Sequence, residues 1–169
     1  MTDDATLCLT HALAIGAGAT ATMDLWAVLR QRLFGVPAMD YALVGRWLVY
    51  LTRGRFHHAS IGATPSVPHE RLIGWTAHYA IGIAFAAVLL AGWGIGWASN
   101  PTPGPALIVG IAGVAAPFFV LQPGMGAGIA ASRTPRPAVA RMHSLVTHAV
   151  FGLGLYAAGR AFSWLGLLR

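Results

Sequence analysis

Four apolar stretches, at about residues 7–33, 72–97, 105–131 and 139–168, make up most of this chain. Each is long enough to cross a hydrocarbon core of about 30 Å as a helix. In lipid every backbone N–H and C=O must be satisfied internally, which leaves only helices or a closed barrel. Runs of this length without strict two-residue alternation select helices. Only 9% of the residues are charged, against about 25% in soluble domains. The sequence therefore predicts an all-α fold, a four-helix transmembrane bundle forming a single integral membrane domain over residues 1–169.

The punctuation between the runs is local and readable. The first ends at Arg30 and Arg32, with Gly35 and Pro37 closing the helix. Residues 35–71 form the only long polar connection, and in it Asp40 is placed to cap a short helix, YALVGRWLVYLT. That helix is too short to span. Its Trp47 and Tyr50, flanked by Arg46, Arg53 and Arg55, suit an interfacial helix anchored at headgroup level; a buried connector is the alternative. Pro65 and Pro68 forbid a continuous helix onward. WASNPTPGP turns the chain between the second and third spans. The third run is broken at Pro117 and at Gln122-Pro123-Gly124, and Arg160 punctuates the fourth.

Orientation follows from the arginines, which are the only basic residues among the 11 of Lys plus Arg. The first and third connections hold nine of them; only Arg160 and Arg169 lie at the C-terminal end. The positive-inside rule puts both connections in the cytoplasm and both termini outside. The first run follows an acidic MTDDATLCL rather than a positive leader, so it is expected to stay as a span. The arginines flank apolar segments, so the expected partner of this basic chain (pI about 10.8) is membrane lipid, not nucleic acid. The single Cys8 excludes an intramolecular disulfide and a thiolate metal site.

Within the spans, Gly16, Thr20 and Asp24 recur every four residues on one helix face. Small residues there let a neighbouring helix approach, and the stripe ends in a carboxylate. A carboxylate at the bilayer centre costs at least ~2.5 kcal/mol, so it needs a partner, a proton or water. Asp24 is six residues from Arg30, His78 seven from Arg71, and His148 seven from Arg141. All three fall about 9–11 Å inward from their arginines. Gln122 closes the third run on the same side, with His143 nearer the start of the fourth. The stripes Gly74–His78–Gly82–Ala86 and Ser144–His148–Gly152 could turn both imidazoles inward. The expected site, for substrate or proton, is therefore Asp24, His78, His148, Gln122 and His143. Hydrogen bonding across helix interfaces is the plain structural alternative.

The chemistry open to such a layer is varied. Asp24, His78 and His148 are the donors a divalent metal such as zinc, iron or nickel would take. His78 and His148 could instead be axial ligands of a haem. His57, His58, His69 and Glu70 match no established ligand spacing and read as a solvated polar loop. His11 lies near the outer end of the first span, at the wrong depth to join the layer. QPGMGAGIAASRTP alternates glycines, but without a preceding strand or a Walker lysine it is no phosphate loop. A broken helix end or a tight packing elbow fits it better.

The blocks GAGATATMDLW, DYALVGRW, GRFHH, GWTAHYAIG, PFFVLQPGMGAGIAASRTP and THAVFGLGLY cover nearly the whole chain. In them it resembles a family of short bacterial four-span inner-membrane proteins of unknown function. The resemblance implies a multi-span membrane protein and no activity. Three functions then compete. One is small-solute or proton-linked transport through the Asp/His site. Another is a metal- or haem-binding enzyme at the inner leaflet. The third is an accessory subunit using its small-residue faces for assembly, a homo-oligomer included.

Overall fold

The computed structural model describes residues 2–165, with side chains from residue 5 onward. Arg169 and the last residues expected of the fourth span lie outside that range. Helix α1 covers Thr2–Phe34, α2 Tyr41–Thr52, α3 Glu70–Trp93, α4 Gly96–Ser99 and α5 Pro103–Ala112. A π-helical turn, Pro117–Leu121, leads into α6, Gln122–Met125. A 3₁₀ turn at Ile129–Ala131 precedes α7, Pro137–Trp164. Among the described residues there is no strand, and four helical stretches are long and apolar enough to cross a membrane. Each carries large apolar side chains facing outward: Leu25, Val88, Ile108 and Leu153 are all about half exposed or more. Such surfaces are stable against lipid, not water. This is a multi-pass membrane protein.

Local chemistry sets the helix ends. Gly35 (φ 64°) terminates α1 and returns its N–H to the Gln31 carbonyl at 3.0 Å. The Asp40 carboxylate accepts from the Ala42 N–H at 3.0 Å, capping α2 as expected. The second span stops at Trp93 rather than 97, because Gly94 turns left-handed (φ 82°), and α4 follows as a separate turn. The third span ends at Met125 rather than 131, where Gly126 (φ 101°) reverses the chain. Pro117 has no N–H to give. The turn that follows it is widened, with the Gln122 N–H bonded to the Pro117 carbonyl.

The chain forms two compact units. The first comprises Met1–Pro37, Tyr79–Gly113 and Thr147–Arg169. Its core draws Ala12, Ile15 and Ala19 from α1, Leu89 and Leu90 from α3, Val109 from α5, and Phe151 and Leu155 from α7. Lipid removes most of the hydrophobic drive between helices, so close van der Waals contact must hold them together. Small residues make that contact. Gly16 meets Gly82 and Ile83 of α3, Gly110 meets Gly152, and Gly154 meets Ala19. The stripes read from the sequence are thus occupied within the chain. Thr20 satisfies its own hydroxyl by donating to the Gly16 carbonyl at 2.8 Å.

The second unit comprises Ala38–His78 and Val114–Val146. Here α2 crosses the start of α3 backbone to backbone: Gly45 abuts the Glu70 carbonyl and Gly74 the Tyr41 carbonyl. The connection after α2 is fastened at several points, which corrects the polar-loop expectation for His58 and Glu70, while His57 and His69 are exposed as expected. Ile61, Val67, His58 and Thr64 are buried. The His58 and Ile61 N–H groups donate to the Gly124 and Met125 carbonyls, both at 3.0 Å. Glu70, grouped with the histidines in that expectation, instead pairs with Arg46.

Trp47 departs from expectation as well. It is 8% exposed, its Nε1–H donates to the Phe56 carbonyl at 3.0 Å, and its indole packs on Gly124. An indole whose N–H is spent this way has no donor left for a headgroup. Tyr50 is likewise used internally, donating to the Pro65 carbonyl at 3.2 Å. The glycine-rich block is a packing elbow: Gly124 gives room to Trp47, and Gly126 lies against the Ala59 carbonyl.

Candidate functional site

Asp24 stands on α1, two turns beyond Gly16, and its carboxylate accepts from the Tyr79 hydroxyl at 3.0 Å. The stripe Gly16–Thr20–Asp24 thus does what its spacing predicts: it seats α3 closely, through Gly82, and ends in a polar contact with the same helix. Near the C-terminal end of α1, Arg30 donates to the Thr147 hydroxyl of α7 at 3.3 Å and to the Pro37 carbonyl at 3.2 Å.

His78 has a different tyrosine. Its Nε2 is hydrogen-bonded to the Tyr41 hydroxyl at 3.0 Å, and the two rings stack with centroids 4.1 Å apart. Trp75 completes an aromatic cluster, 4.5 Å from Tyr41 and 5.7 Å from His78. The close crossing at Gly45 and Gly74 brings Tyr41 there, since a side chain at either position would hold α2 away.

Gln122 reaches α7, its Nε2 lying 3.5 Å from the Ser144 hydroxyl, next in sequence to the half-buried His143. Its Oε1 is buried without a hydrogen-bond partner. The half-buried His148 lies on α7, where its carbonyl meets Gly110 of α5. Of the five expected residues, Asp24 and His148 belong to the first unit; His78, Gln122 and His143 belong to the second.

Two cofactor expectations meet the geometry directly. Among the described residues no three His, Cys, Asp or Glu side chains gather as a metal ion requires, the trio Asp24, His78 and His148 included. A haem iron binding His78 through Nε2 would have to displace the Tyr41 hydroxyl.

Sequence reasoning passed over Tyr79, and it placed Tyr41 only as the first residue of the short helix after Asp40. The available signal was a phenol inside a span, whose O–H needs an acceptor when buried. Arg46 and Glu70 were also missed as a pair. The Arg46 Nε and Nη2 both donate to the Glu70 carboxylate at 2.8 Å, and its Nη1 donates to the Ile61 and Thr64 carbonyls. The hydrogen-bonded carboxylate raises the Arg46 pKa above its ordinary value, so the guanidinium stays charged. His11 is buried, with neither ring nitrogen hydrogen-bonded.

A family model described as "Protein of unknown function (DUF2938)" matches residues 13–162. No curated protein and no solved structure matches the chain.

Proposed function

We take as premise that the chain belongs to the DUF2938 family, whose function is unknown, and propose that it carries a small solute across the bacterial inner membrane in exchange with protons. The observation that carries the reading is the Asp24 carboxylate inside the first span, hydrogen-bonded to Tyr79 at 3.0 Å. An ionisable group at that depth is costly, and its usual return is a proton or ion pathway. Asp24 is the proton carrier in this reading, and Tyr79 orients it. His78, the residue before Tyr79 on α3, offers a second group that exchanges protons, held by Tyr41. Discontinuous third-span geometry, with its π turn at Pro117–Leu121, also fits a transporter, in which broken helices line substrate paths.

The orientation proposed with it has the first and third connections in the cytoplasm and both termini outside, on the nine-to-two arginine bias. Reporter fusions at residue 60 and at the C-terminus should read opposite sides; the same side would refute this topology.

For transport, the purified protein reconstituted in liposomes should take up a member of a labelled panel of small amines, carboxylates and sugars under an imposed pH gradient. Asp24→Asn should abolish gradient-driven uptake. Tyr79→Phe, which leaves the carboxylate and removes a hydrogen bond of about 1.5–3 kcal/mol, should reduce it without abolishing it. Uptake unchanged in Asp24→Asn, or no gradient-driven uptake of any panel member, would overturn the proposal.

A further inference from the structure

The second unit contains an open cleft of about 260 Å³ lined by Trp47, Leu51, Phe56, His57, Phe119 and Val120. Its walls are almost wholly apolar. The one polar group of Trp47, its Nε1–H, is already bonded to the Phe56 carbonyl. Phe119 and Val120, 64% and 57% exposed, come from the π turn of the third span. They stand six and five residues before that span ends at Met125, about 8–9 Å along the helix. The opposite wall comes from the arginine-bearing connection. The cleft therefore lies where the apolar span gives way to charged chain, the level of lipid headgroups.

Arg53 and Arg55 lie two and four residues after the lining residue Leu51, and Arg55 directly precedes Phe56. Their guanidinium carbons lie 5.4 and 5.6 Å from the centroid of the same Tyr50 ring. That cation–π contact leaves the N–H donors unspent. Among the described residues the salt bridge formed is Arg46–Glu70, and neither Arg53 nor Arg55 has a hydrogen-bonding side-chain partner. Two like charges near one ring repel each other, and an anion close by relieves that repulsion. Two guanidinium groups carried on the segment between the lining residues Leu51 and Phe56 of a dry cleft are complementary to a phosphate joined to an alkyl chain. The volume falls below the roughly 300–1,000 Å³ of sites for drug-sized ligands, and suits a segment of one acyl chain.

We propose that this cleft and Arg53–Arg55 form a binding site for an anionic phospholipid of the surrounding membrane, acyl chain against Trp47, Phe56 and Phe119, phosphate on the two guanidinium groups.

The test is native mass spectrometry of the purified full-length protein, titrated with dioleoyl phosphatidylglycerol and, separately, dioleoyl phosphatidylcholine. The acyl chains are identical, so the two lipids differ only in the headgroup, anionic in one and zwitterionic in the other. Phosphatidylglycerol should be retained on the order of tenfold more tightly, and Arg53→Gln/Arg55→Gln should erase that difference. Val120→Trp, which fills the cleft and leaves both arginines, should weaken both lipids. Both changes are at exposed positions, and the intact mass and thermal transition of each variant report its folding. Equal retention of the two lipids, or a preference that survives loss of both arginines, would overturn the proposal. So would phosphatidylglycerol binding unaffected by Val120→Trp.

Discussion

Gly16→Ala should destabilise the protein by about 2 kcal/mol, although alanine is the better helix former. The added Cβ would lie 2.5 Å from the Ile83 Cα, 2.8 Å from the Ile83 N and 2.9 Å from the Gly82 carbonyl oxygen. All three are backbone atoms of α3, and none can rotate away, so the helices must separate. Overpacking of this kind costs about 1–3 kcal/mol, or more when the neighbour is rigid, and exceeds the ~1 kcal/mol alanine gains in helix propensity. Gly92→Ala is the matched control on α3, since a Cβ there meets nothing within 4 Å. It should be neutral or slightly stabilising. Thermal or denaturant unfolding of the purified protein in one detergent would show the two changes with opposite signs. A Gly16→Ala protein as stable as the parent would mean that α1 and α3 do not approach there. Because Asp24 lies on the same stripe, separation should also loosen the Asp24–Tyr79 hydrogen bond and, with it, lower the proposed proton-driven uptake.

Arg46→Ala should release the connection between α2 and α3. The guanidinium makes two 2.8 Å contacts with Glu70 and two more with the carbonyls of Ile61 and Thr64. Glu70 in turn accepts from the Val67 N–H at 3.0 Å. One side chain therefore ties α2 to the loop and to the first turn of α3. Both side chains are only slightly exposed, 12% for Arg46 and 16% for Glu70. Removing Arg46 leaves a shielded carboxylate and two carbonyls without it, and the expected loss is about 3 kcal/mol. Arg46→Lys keeps the charge but cannot reproduce the planar fork, so it should fall between parent and alanine. Limited proteolysis is the direct readout, with new cleavage expected between Arg53 and Arg71. Resistance equal to the parent's in Arg46→Ala would show that the loop is held by its other contacts, those of His58 and Ile61 with the third span.

What the chain encodes locally was legible from its sequence. Hydropathy over a helix length fixed the four spans, because transfer of a residue into lipid depends mainly on that residue. Gly35 at the end of α1 and Asp40 at the start of α2 worked the same way, each within four residues of the group it satisfies. The stripe from Gly16 to Asp24 disclosed that a helix would come close on that face. It could not disclose which helix. Asp24 meets Tyr79 across 55 residues of sequence, His78 meets Tyr41 across 37, and Arg46 meets Glu70 across 24. Those pairings depend on helix rotation and on the path of the connection, which no local preference specifies. Trp47 shows the difference most plainly. By composition it belonged among the headgroups, yet the Phe56 carbonyl and the bare face of Gly124 offered its indole a hydrogen bond and a surface that only the folded second unit provides.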